Sequence, residues 1–437
     1  MFAYYFDLAL RSFRRNKALT ALMVLAIALG IGTAMTTLTV FHVLSADPLP
    51  GRSQTLFYPQ IDPQGLSNFQ PGTEPPLQLT RQDAEALLRA GRGDRQALMT
   101  GGRVAVQPQR ADLAPFRIDA RYTSADFFPM FGPKFLHGGG WSAADDASRA
   151  RVAVIAKPLN DKLFGGADSV GKTLRVDDAE FRIVGVLDDW RPVPKFYDLN
   201  ASESGYGQAE QVFVPFSTSR DLQLARSGNM DCYDARPPGV RDTDLGAGCM
   251  WLQFWVQLDS PQKLRAYRDF LERYCDQQRT AGRFKRPNVI RLRSLMQFLD
   301  FNKVVPGDVR LQLWLAFGFL LVCLFNTAGL LLAKFLRRAP EIGVRRALGA
   351  SRREILVQHL VEAGVIGLAG GVLGLGLAAL GLWAVRMQPV EYADLVHLDP
   401  SMLAATFALA VLTSVLAGAL PAWRAMQVVP AMQLKSQ

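Results

Sequence analysis

Two kinds of pattern divide the chain: long apolar runs near its ends, and a polar block in which short apolar runs are broken by turn residues. The run over 18–44 holds no Asp, Glu, Lys or Arg and only His42 near its end. Three more follow at 311–333, 355–385 and 402–420, of which 355–385 carries one carboxylate, Glu362. Each reaches or exceeds the roughly 18–20 residues that cross a hydrocarbon core of about 30 Å. Four transmembrane α-helices are predicted. Between the first and second lies the polar block, 45–306.

The flanks orient these helices. Arg11, Arg14, Arg15 and Lys17 precede the first. The loop 334–354 carries Lys334, Arg337, Arg338, Arg345, Arg346, Arg352 and Arg353, whereas 386–401 has Arg386 against Glu391, Asp394 and Asp399. Basic residues mark the cytoplasmic side. The loop 334–354, the tail 421–437 and the segment 1–17 are therefore expected inside, and 45–306 and 386–401 outside. Over 1–17, Phe2, Phe6, Leu10 and Phe13 recur at helical spacing opposite the arginines, which predicts an amphipathic helix on the inner leaflet.

Within the outer block, WLQFWVQLD reads as a strand and PQKLRAYRDFLERYCDQQ as a helix with Leu264, Tyr267, Phe270, Leu271 and Tyr274 on one face. VAVIA, KTLRV, FRIVGVL and QVFVPF are short β-rich runs. The fold class is thus a membrane protein of four helices with a large α/β extracytoplasmic domain between the first two. The segment from Pro194 to Gly248 is rich in Gly, Asp, Ser and Arg and is expected to be a mobile loop.

The net charge of +10 does not change this picture. Its arginines crowd the ends of apolar runs instead of forming one soluble basic face, so nucleic acid is not the expected partner; the lipid bilayer is. No cleavable signal peptide is expected, because the first apolar run is too long. Four cysteines are too few for a disulfide framework. Cys232 and Cys249 are the expected bridge, with Cys275 able to replace either one. His42, His137, His359 and His397 are scattered without ligand spacing, so no metal is expected. Asp145–Asp146, Asp177–Asp178 and Asp188–Asp189 read as solvated turn residues, and no catalytic set emerges.

Gly166 to Thr173 matches GxxxxGK[ST], a phosphate-binding pattern. Such a loop needs a strand before it and a helix after it. Here the reverse order is predicted, and Lys172 is expected to be a surface residue of a turn.

Small residues recur in the third apolar run as Gly367/Gly371 and Gly370/Gly374, which permit close helix approach within the chain or at a dimer seam. Glu362 is the one carboxylate inside a run. Such a group takes a partner or a functional role, unless it lies at the membrane interface.

The segment RRAPEIGVRRALGASRREI is the most specific. Pro340 suits a first helical turn, Glu341 and Arg345 stand at i,i+4, Gly349 supplies a left-handed stop, and Ser351 with Glu354 forms a capping box. A short charged helix, a bend and a fresh helix start are predicted.

FNTAGLLLAKFLRRAPEIGVRRALGASRREILVQHLVEAGVIGLAGGVLGL resembles the second helix, coupling loop and third helix of MacB/FtsX-type ABC transporter permeases. PAWRAMQVVPAMQLK resembles their C-terminal motif, and LRSFRRNKALTALMVLAIALGIG their N-terminal elbow. SADFFPMFG, LFGGADSVGKTLRV and VFVPF are similar to the family's periplasmic core. The resemblance implies a porter-like βαβ unit over 46–118 and 250–303 with a β-rich insert over 119–249. It also implies docking of the loop on a separate ABC ATPase dimer through Glu341, Arg345, Arg346 and Gly349. ATP and Mg would then be bound by that partner, with no cofactor and no catalysis on this chain. The implied setting is the bacterial inner membrane. A second permease copy or paralogue is implied there, together with a membrane-fusion protein and an outer-membrane channel. The implied work is efflux of an antibiotic, peptide or toxin driven by mechanotransmission. The alternatives are a lipoprotein-extracting permease and an FtsX-like signalling permease that controls a cell-wall hydrolase.

Overall fold

The computed structural model describes residues 17–67, 69–110, 112–199, 205–233, 238–398 and 400–427. Apart from Lys17, the amphipathic helix expected over 1–17 falls outside them, as does the end of the tail. Contacts divide the chain into two compact units, Met1–Ser45 with Val305–Gln437, and Ala46–Val304.

The first unit is helical: TM1 (Lys17–Ser45), TM2 (Gly307–Leu336), a connector helix (Ala339–Ala347), TM3 (Arg352–Arg386) and TM4 (Pro400–Met426). The four long helices have the length and apolarity to cross a membrane. TM2 and TM3 each lie along both TM1 and TM4. Met23, Ile27, Ile31, Leu320, Leu331 and Ile366 form the heart of their shared core.

The two overlapping glycine pairs of TM3 serve different neighbours. A Cβ at Gly367 would stand 2.1 Å from Ser414 Cβ, and one at Gly371 2.7 Å from Ala410 Cβ, both on TM4. A Cβ at Gly370 would stand 2.6 Å from Ile27 Cγ2, and one at Gly374 3.1 Å from Ile31 Cβ, both on TM1. Lipid supplies no hydrophobic drive between helices, so this close packing of small residues carries the association. Gly370→Leu should overpack the TM1 seam and cost about 1–3 kcal/mol. Gly376→Leu, where nothing lies within 4 Å, should be near neutral. Thermal unfolding of the two purified variants checks this; equal midpoints would dissolve the seam.

The second unit is built on a thirteen-stranded sheet. Its strands are β1 (Leu56–Gln60), β2 (Leu79–Thr80), β3 (Arg95–Gln107), β4 (Phe116–Thr123), β5 (Phe135–Gly138), β6 (Val152–Ala156) and β7 (Thr173–Val176). They continue with β8 (Ala179–Leu187), β9 (Val212–Pro215), β10 (Arg226–Ser227), β11 (Asp231–Cys232), β12 (Cys249–Gln257) and β13 (Arg291–Ser294). The main path runs β13-β1-β12-β3-β4-β9-β6-β8-β5, with parallel pairs at β4–β9 and β6–β8. Because side chains alternate along a strand, the sheet feeds two cores. Leu98 and Phe254 enter one, and Met99 and Trp255 the other. Helices α1 (Arg81–Ala90), α2 (Ala143–Ser148), α3 (Phe216–Asp221) and α4 (Pro261–Thr280) are among those that flank it. Strands from 46–118 and 250–303 and strands from 119–249 thus share one continuous sheet.

The segment Pro194–Gly248 is not the loop its composition suggests. It supplies β9 to the middle of the sheet and buries Phe196 and Tyr197 completely. Its charges are paired inside. Wholly buried Arg121 hydrogen-bonds Asp198 and Glu210, Lys195 Nζ lies 2.8 Å from Glu210, and Gln253 Nε2 donates to Asp198 at 2.9 Å. Burial alone would raise the Glu210 pKa, but Arg121 and Lys195 hold it at about 2. Polar residues read as solvated when their partners are far away in sequence.

Asp145 and Asp146 are likewise more than solvated turn residues. Asp145 completes a capping box with Ser142, while Asp146 accepts hydrogen bonds from Ala125 N at 2.7 Å and Trp141 Nε1 at 2.9 Å. A disulfide joins Cys232 on β11 to Cys249 on β12, 17 residues apart, and Cys275 is a buried free thiol. The segment from Gly166 to Thr173 follows the helix Lys157–Phe164 and leads into β7 and β8, the reverse of a phosphate-loop context. Exposed Lys172 rests over the Phe164 ring, 5.0 Å from its centroid.

Candidate functional site

The connector between TM2 and TM3 is assembled from local signals. Pro340 occupies the first turn of its helix, where a missing N–H leaves nothing unsatisfied. Arg345 reaches back to Glu341 at 2.8 Å and also donates from Nη1 to Gln358 Oε1 of TM3 at 3.2 Å. Gly349 closes the helix with φ of +99°, a conformation that side chains resist. Ser351 then caps TM3: its amide donates to Glu354 Oε2 at 2.8 Å and its Oγ accepts from Glu354 N at 3.2 Å. The helix buries Ala339, Ile342 and Gly343 and presents Glu341, Val344 and Leu348 outward, Leu348 being 84% exposed.

Beneath the connector lies a buried ion cluster. Glu362, ten positions after Arg352, faces the end of TM2, where Lys334 Nζ lies 2.7 Å from its Oε1. Arg338 approaches the other oxygen at 3.6 Å, and His359 Nδ1 at 3.7 Å. The Lys334 and Glu362 side chains are 1% and 3% exposed. The Phe335 ring packs tilted against the His359 ring with centroids 4.0 Å apart. TM2 and TM3 are thereby tied to one another immediately beside the loop that joins them.

The sequence singles out Glu341, Arg345, Arg346 and Gly349, and all four lie on or just beyond one short helix. Arg346 is half-buried. Glu362 has the partner its position demands, but Lys334, Arg338 and His359 were not singled out for it. The available signal was spacing: Lys334 closes one apolar run, and Glu362 opens the next on the same side. The four glycines of TM3 belong to helix seams away from the connector, and the Cys232–Cys249 bridge belongs to the other unit. A lever with an exposed grip and a buried brace can transmit force.

The model of a MacB-like periplasmic core domain matches residues 20–274, and that of the FtsX-like permease C-terminal region matches 313–430. The macrolide export ATP-binding/permease protein MacB of Azoarcus sp. (strain BH72) is 26% identical over 440 residues, which cover 98% of this chain and 59% of that protein. The pyoverdine export ATP-binding/permease protein PvdT of Pseudomonas entomophila (strain L48) is 27% identical over 320 residues, 71% of this chain and 42% of that protein. The chain spans about three fifths or less of the length of these relatives. The crystal structure of the periplasmic region of MacB from Actinobacillus actinomycetemcomitans is similar with a TM-score of 0.37 and 14% identity, covering 59% of this chain and 97% of that one.

Proposed function

The chain belongs to the MacB/FtsX family of ABC transporter permeases, a multi-pass membrane protein with a periplasmic domain, and from that premise we propose that it couples ATP hydrolysis on a separate cytoplasmic subunit to movement of that domain. The observation that carries this reading is the connector. Its outward face, Glu341, Val344 and Leu348, suits a protein partner, while Arg345–Gln358 fastens it to TM3 and Lys334–Glu362 ties TM3 to TM2. A push on the short helix passes into TM2 and TM3 together. The partner in this reading is an ABC ATPase dimer that binds ATP and Mg, and the permease acts beside a second copy or paralogue in the bacterial inner membrane. Relatives named for macrolide and pyoverdine export support efflux as the work done. Periplasmic cargo, an antibiotic, peptide or toxin, then leaves through a membrane-fusion protein and an outer-membrane channel.

The test is turnover. The purified chain should hydrolyse no ATP above background, and addition of its ATPase should produce activity. Lys172→Ala, in the false phosphate loop, should leave that activity unaltered. ATP hydrolysis by the chain alone that Lys172→Ala abolishes would make it the enzyme and end the proposal.

A further inference from the structure

The outer unit holds a cleft of about 840 Å³ lined by α1, α2, α3 and the turn after β4. That volume falls within the range of small-molecule sites, roughly 300–1,000 Å³. Arg220, half-buried on α3, has no carboxylate within ion-pair distance among the described residues. It is held in place from behind, with Nη2 donating to Leu224 O at 2.8 Å, Nε to Ser219 Oγ at 3.3 Å, and its guanidinium 5.4 Å from the Trp251 ring centroid. Nη1 makes no hydrogen bond among the described residues. Burial lowers its pKa to about 10, and the positive charges of Arg81, which also lines the cleft, and Arg226 act in the same direction.

Four carboxylates line the cleft as well: Glu85 and Asp221 are paired, with Arg81 and Arg149 at 2.7 Å each, whereas Asp126 and Asp146 have no cationic partner among the described residues. Asp126 Oδ2 accepts from Gln96 N at 2.9 Å, which leaves Oδ1 available. Burial raises the Asp146 pKa to about 6, with Asp126 and Asp145 adding negative charge. Leu88, Ala125 and Phe216 supply apolar lining between these polar groups. A guanidinium lacking an anion and two carboxylates lacking a cation, with an apolar wall, complement one kind of molecule.

We infer that this cleft is a binding subsite for a zwitterionic amphiphile, a short peptide with free termini, whose carboxylate bonds Arg220 and whose ammonium bonds Asp126. Asp146 reinforces the cationic end. The subsite's role in receiving cargo rests on the export reading, but binding itself does not. Charge-assisted hydrogen bonds in a partly desolvated cleft give it discrimination, because deleting either ligand charge leaves a protein group unpaired.

The probe is the tripeptide Phe-Ala-Phe with free termini, compared with its C-terminal amide and its N-acetyl form. Binding is titrated by calorimetry on the full chain in nanodiscs. The free peptide should bind at least tenfold more tightly than either blocked form. Arg220→Gln should bind it no better than wild type binds the amide, with no further loss for the amide. Asp126→Asn should do the same for the acetylated form, and it decides alone should loss of the Trp251 stacking unfold Arg220→Gln. No binding by wild type, or discrimination that survives both substitutions, overturns the subsite. Intact peptide binding in a chain that no ATPase engages would instead sink the export reading and leave the subsite standing.

Discussion

Glu362→Leu should destabilise the helical unit by about 3–5 kcal/mol, because removing one member of a buried pair leaves the other charged and unsolvated. The effect is expected at the upper end, since Lys334, Arg338 and His359 all face that carboxylate. At roughly 2–4 °C per kcal/mol for a unit of this size, thermal unfolding of the helical unit should fall by several degrees or more. The double variant Lys334→Met/Glu362→Leu should recover most of that loss, because a buried pair replaced by apolar groups of similar volume is often close to neutral. Comparison of the two separates stability from transmission. If the double variant regains its midpoint but its ATPase partner no longer drives work, the pair serves as the brace between TM2 and TM3. A Glu362→Leu midpoint equal to wild type would show the pair to be idle.

What the sequence made legible depends on how far apart the interacting residues are. Pro340, Gly349 and the Ser351–Glu354 cap each act within one turn of backbone, and each stands where its residue type predicts. The apolar runs are legible for a similar reason, since crossing a membrane is a property of consecutive residues. Lys334 and Glu362 are separated by the whole connector, so neither betrays the other locally. The TM3 glycines show that close packing occurs, but the assignment of Gly367 to TM4 and Gly370 to TM1 requires the helix azimuths.

The outer unit shows the opposite failure. Composition suggests a loop over Pro194–Gly248 because the segment is rich in Gly, Asp, Ser and Arg, yet its Asp198 and Glu210 are buried against Arg121, which lies on β4. Buried charge is stable only when paired, and pairing across a sheet leaves no periodic trace in one strand. The cleft is hidden in the same way. By sequence Asp146 reads as a solvated turn residue, whereas the turn after β4 brings Ala125 N to its carboxylate, and Arg220 lines the same cleft from a helix some seventy positions on.

Arg345→Glu should abolish coupling while leaving the fold intact. The Glu341–Arg345 pair is an exposed i,i+4 contact, worth a few tenths of a kcal/mol, and the bond to Gln358 is a single hydrogen bond. Loss of both shifts thermal unfolding little. At a protein contact the same reversal removes a hydrogen-bonded charge and sets a second carboxylate beside Glu341, a change of about 2–5 kcal/mol when the contact is desolvated. Since 1.4 kcal/mol is a factor of ten, affinity for the ATPase should fall by about thirtyfold or more. Leu348→Asp supplies an independent arm, because that side chain is 84% exposed. It should weaken the ATPase complex without moving the unfolding midpoint. Co-purification and ATP turnover of the reconstituted pair measure both variants. Full turnover by both would place the ATPase contact elsewhere on the chain. Loss by Arg345→Glu alone would assign recognition to the charged side of the helix, Glu341 and Arg345, and not to its apolar tip.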